Sequence, residues 1–66
     1  GPSQRDLEII AWAASEQLLI RGWQPDYLGN MFCWHDFDSL TSDGYAQDPA
    51  WLRATLLAAI AAKEVS

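Results

Sequence analysis

The sequence holds one cysteine, Cys33, and one histidine, His35. A lone cysteine excludes an internal disulfide and fits a reducing compartment, so a cytoplasmic location is expected. One cysteine and one histidine also fall short of the four such ligands that a structural zinc site takes, and no metal or other cofactor is expected. Positive charge is scarce too: four Lys and Arg against nine Asp and Glu give a formal net charge of -5. That is the wrong sign for neutralising phosphates, which argues against direct nucleic-acid binding. No apolar run approaches the roughly 20 residues that span a bilayer, and the n-region and h-region of a signal peptide are missing, so no membrane association is expected.

What is present is a heavy apolar load. Half the residues are hydrophobic and four are tryptophan. The opening Gly1-Pro2-Ser3 looks like the remnant left by a tag-removing protease and is set aside, which leaves residues 4–66 as one small domain. A chain of this length buries only about 60% of the surface that its unfolded form exposes, so its stability is marginal.

The pattern along the chain predicts an all-α fold. Asp6 to Arg21 has no glycine or proline and is rich in Leu, Ile, Ala, Glu and Gln, which favours a helix of about four turns. Gly22 stands where a left-handed cap is wanted, and Pro25 blocks continuation. From Asp26 to Trp34, apolar residues recur at spacings of three and four, which predicts a short helix capped by Asp26. Asp36 to Asp48 crowds Asp, Ser, Thr and Gly together and predicts an acidic loop with a turn at Asp43-Gly44. Asp48-Pro49 then starts a last helix that runs to about Lys63. The expected architecture is a helical hairpin of two longer helices joined by a short connecting helix and the loop, assembled as a homodimer.

On a helical wheel the last helix carries Leu52, Leu56, Leu57 and Ile60 on one stripe, taken as the intramolecular core face. Its other side, with Trp51, Ala54, Ala58, Ala61 and Ala62, is the expected dimerisation face. The first helix repeats the theme: Leu7, Ile10, Ala11, Ala14 and Leu18 form one arc, Trp12 and Leu19 another, and Ile9, Ala13 and Ile20 a third. A helix that is apolar nearly all round is buried in a large core or against another chain, and this chain is too short for a large core. A protein partner follows. Trp23, Tyr27, Phe32, Trp34 and Tyr45 flank the least regular segment and are the candidate partner-binding side chains.

Chemistry-bearing motifs are few. Cys33, Trp34, His35 and Asp36 bring a thiol, an imidazole and a carboxylate together in sequence, but nothing beside them supplies an oxyanion-stabilising scaffold, and no enzymatic activity is expected. Counted from Asp36, the fifth, sixth and twelfth positions of a calcium loop would be Leu40, Thr41 and Gln47, which fails that pattern. Asp38-Ser39-Leu40 resembles the phosphopantetheine tripeptide of acyl carrier proteins, which implies a remote carrier-like alternative. In that family a long helix follows the serine, whereas Gly44 and Pro49 interrupt the chain here. In length, acidity, tryptophan content and layout, Asp6 to Lys63 resembles the small helical inhibitors that bacteriophages make against host regulators. That resemblance implies stoichiometric inhibition of a regulatory protein, such as a transcriptional regulator. The alternative is a docking or structural module of a larger assembly.

Overall fold

In a computed structural model, which describes residues 1–39 and 42–64, the chain is not all-α. It runs α1 (Gln4–Ile20), β1 (Trp23–Leu28), β2 (Met31–Asp36), a 3-10 turn (Ser42–Gly44), β3 (Tyr45–Asp48) and α2 (Trp51–Glu64). The strands form an antiparallel meander in the order β1-β2-β3.

The two long helices form where the sequence asks for them. Ser3, set aside above as a cleavage remnant, is structural: its hydroxyl accepts from the Asp6 amide and the Asp6 carboxylate accepts from the Ser3 amide, closing a capping box on α1. Gly22 ends that helix with φ +92°, a backbone conformation that favours glycine. Asp48 accepts from the Ala50 amide at 2.8 Å just ahead of α2, which starts at Trp51 with the Ala54 amide donating to the Ala50 carbonyl, so Pro49 precedes the helix and is not its first residue.

The short helix expected over Asp26 to Trp34 is instead a β-hairpin. Leu28 pairs with Met31 and Tyr27 with Phe32 across Gly29-Asn30, and Gly29 has φ +61° while Asn30 does not have positive φ. This is a two-residue turn with glycine at its first central position, as a type II′ turn requires. The three-residue step from Leu28 to Met31 crosses the turn and joins strand partners; it is not a helix face. The acidic loop expected over Asp36 to Asp48 likewise gives up its last four residues to β3.

Nor do the helices form a hairpin. Trp12 packs tilted against Trp51 near the start of α2, with ring centroids 4.8 Å apart, and the Arg21 guanidinium donates to the Ala62 carbonyl near its end. The helices therefore run in the same direction. An odd number of antiparallel strands between them requires this, because each strand reverses the chain.

Both helices lie on one face of the sheet. The core joins Leu18 of α1, Trp23 of β1, Trp34 of β2, Ala46 of β3 and the i, i+4, i+8 set Ala54, Ala58 and Ala62 of α2. Two buried tryptophans supply most of the side-chain volume, and the alanines let α2 sit close above them. The Trp34 indole N–H donates at 3.0 Å to Thr55 Oγ1, itself fully buried, and the Thr55 hydroxyl donates on to the Trp51 carbonyl. A buried polar group is thus paired at both ends.

Candidate interaction surface

The two faces of α2 are the reverse of those expected. Ala54, Ala58 and Ala62, placed above on the dimerisation face, are buried in the chain's own core; Ala61 is half-buried against it and Trp51 half-buried beside Trp12. The stripe read as core is the outer one: Leu57 and Ile60 are exposed, and Leu52 and Leu56 only half-buried. The reason is volume. With Trp23 and Trp34 already filling the space above the sheet, the face that docks there must be small.

The aromatic candidates also divide. Trp23 and Trp34 are core, and Phe32 packs partly against it. Tyr27 is exposed and lies against Phe32, ring centroids 4.6 Å apart. Tyr45 is exposed on the opposite, helix-free face of the sheet, since it pairs with His35 and shares the parity of Cys33 and Gln47. The five residues therefore form no common surface.

Cys33 is buried on that helix-free face. The Tyr45 hydroxyl lies 3.2 Å from its sulfur and 2.9 Å from Gln47 Oε1. The contact with Cys33, reinforced by burial, holds the Tyr45 phenol above its ordinary value of 10.0. Tyr45 is accordingly a neutral donor near pH 7. His35 packs edge-on against the exposed Phe37.

The exposed apolar side chains that do gather are on the solvent side of the helix layer. Trp12 and Ala11 fix the orientation of α1, the first touching α2 and the second fully buried. At 100° per residue, Ile9, Trp12, Leu19 and Ile20 then fall on an arc of about 100° pointing away from the sheet. Ile20 is 76% exposed and Trp12 64%. On α2, with Thr55 turned down to Trp34 of the sheet, Leu57 lies about 160° round the wheel and points the same way. On the same wheel Glu8 borders this surface, and Arg5 and Glu16 lie within it. The sequence signal for it is the second and third apolar arcs of the first helix.

Among the described residues no group of three or more His, Cys, Asp or Glu side chains could hold a metal ion, no pocket is found, and no helix is long and apolar enough to cross a membrane. Ser39 is followed by the 3-10 turn and β3, and Leu40 of the tripeptide lies outside the described residues. No family model matches the chain, and neither the curated proteins nor the solved structures give a match.

Proposed function

We propose that the chain is a small protein-binding module that works by occupancy, without catalysis, and that its binding surface is the solvent side of the helix layer: Ile9, Trp12, Leu19 and Ile20 of α1 with Leu57 of α2. The observation that carries this is the exposure of all five bulky side chains on one side of a molecule this small. Removing the remaining exposed part of these side chains from water is worth on the order of 4–9 kcal/mol, from about 1.5–3 kcal/mol for each fully buried chain. Association costs about 4–15 kcal/mol in lost freedom, so the apolar contacts need help from charge. Glu8 at the border and Glu16 within the surface, on a chain of net charge -5, suit a partner that sets Lys or Arg among its own apolar side chains. The function that fits is stoichiometric inhibition of a regulatory protein, a transcriptional regulator for example, by covering the surface it needs.

The test is affinity capture from a lysate of the source organism with the wild-type chain and with I9Q/I20Q in parallel. A partner held by the wild type at 1:1 and lost by the variant, whose own function falls in the complex, supports inhibition. A partner that belongs to a permanent assembly and keeps its activity would replace inhibition with a docking role. Identical capture by both chains would overturn the surface assignment.

A further inference from the structure

The two edges of the sheet are not equivalent. In a hairpin closed by a two-residue turn, the residues flanking the turn form a hydrogen-bonded pair and the pairs alternate from there. Leu28, Asp26 and Gln24 therefore bond to β2, while Tyr27, Pro25 and Trp23 turn their backbone groups outward. Pro25 has no N–H to offer. The Tyr27 N–H donates to the neighbouring Asp26 carboxylate at 2.7 Å. Two successive outward donors of β1 are thus removed, by chemistry that protects an edge against strand addition.

The same alternation carried through β2 makes Phe32 and Trp34 the residues bonded to β3, through Asp48 and Ala46. Tyr45 and Gln47 then turn their N–H and C=O groups away from the sheet, and among the described residues no backbone partner outside the sheet takes them. Above this open edge lies the side of α2 remote from α1. With Trp51 turned to Trp12 and Thr55 to Trp34, the wheel puts Leu52, Leu56 and Ile60 on that side, with Lys63 at its C-terminal end. An open strand edge and an apolar helix stripe share one flank.

We propose that a second copy of this chain occupies that flank, with β3 pairing antiparallel to its counterpart about a two-fold axis at Ala46, so that one sheet runs through both copies. Both halves of the flank are self-complementary, as a two-fold interface demands: an edge meets an edge, and a stripe centred on Leu56 meets its own image. In this register Tyr45 lies opposite the copy's Gln47, and each such pair exchanges both of its backbone hydrogen bonds. Ala46 faces Ala46 on the inner side, which leaves room above for the two stripes. Asp48 falls opposite Gly44, so no like charges are opposed. At the end of β3 the Arg53 guanidinium holds Asp48 at 3.0 Å and remains exposed. The rim of the flank thus carries both signs, Asp48 and Arg53, although each copy carries -5. This interface shares no residue with the helix-layer surface, so each can fail independently.

Sedimentation equilibrium tests it. The wild-type chain is expected to dimerise, and two variants are expected to raise the dissociation constant by about tenfold or more. Gln47→Pro removes an outward donor without costing the monomer a ladder bond, and Ile60→Glu places a charge in the stripe without touching the strands. I9Q/I20Q, on the other surface, should dimerise like the wild type. Circular dichroism establishes that each variant is folded, and Ile60→Glu decides the matter if Gln47→Pro does not fold. A monomeric wild type at millimolar concentration, or a dimer that survives Ile60→Glu, would overturn the proposal.

Discussion

Thr55→Val isolates one bond in the core. Valine matches threonine in shape, so packing is retained, but Thr55 Oγ1 is the acceptor for the Trp34 indole N–H at 3.0 Å and both residues are essentially without solvent contact. The variant leaves a buried N–H unpaired, at a cost of about 1–3 kcal/mol. A protein of this size has little stability to spare, and each kcal/mol lowers Tm by roughly 4–8 °C. Urea denaturation followed by tryptophan fluorescence gives the free-energy change, and the indole N–H resonance of Trp34 gives the mechanism. In the wild type that proton should exchange with solvent far more slowly than that of exposed Trp12. In T55V it should shift and exchange faster, whereas T55S, which keeps the oxygen, should preserve both features. A T55V chain within 0.5 kcal/mol of wild type, about the effect of an ordinary surface substitution, would refute the assignment of this bond as a core constraint.

Other positions give equally definite expectations. Gly44→Ala should destabilise by about 1–3 kcal/mol in thermal unfolding, because the added Cβ would come within 2.4 Å of the Ser39 Cβ and the segment could relieve the overlap only by moving. Asp48 is held below its ordinary carboxylate value of 3.8 chiefly by the hydrogen bond from the Ala50 amide, which outweighs the opposing effect of desolvation, with smaller contributions from Arg53 in the lowering direction. Its folded pKa is lowered, so its contribution is complete above pH 3.8 and is lost as pH falls through the folded value. D48A should therefore lower the unfolding midpoint at neutral pH and show a shallower further loss on acidification than the wild type, as read by thermal melts at pH 7 and pH 3.

The helices were legible because their ends carry local chemistry: Gly22 at one terminus and Asp48-Pro49 at the other act through neighbouring backbone groups alone. The hairpin imitates a helix over Asp26 to Trp34 although Gly29-Asn30 is itself a two-residue turn signal. In a strand pair joined by so short a turn, residues three apart become partners, and their spacing imitates one turn of helix. The inside and outside of α2 were inverted for a different reason. A leucine stripe is a good core face when nothing else fills the core, but the sheet, once missed, took with it the knowledge that Trp23 and Trp34 occupy that volume. The surplus of apolar surface on α1 was visible from the start, since Ile9, Trp12, Leu19 and Ile20 outnumber the sites a small core can offer. Sequence alone did not single them out as the exposed set, because that depends on where the second helix lies.

The most direct test of whether those side chains are spare to the fold is the unfolding free energy of I9Q/I20Q against wild type, measured by urea denaturation at a concentration low enough to hold both as monomers. Side chains that face water in the isolated molecule contribute little, so the two chains should agree within about 0.5 kcal/mol for each substitution. A loss of about 2 kcal/mol or more beyond that margin would place at least one of the two isoleucines inside the core and contradict the claim that this surface is held in reserve for a partner.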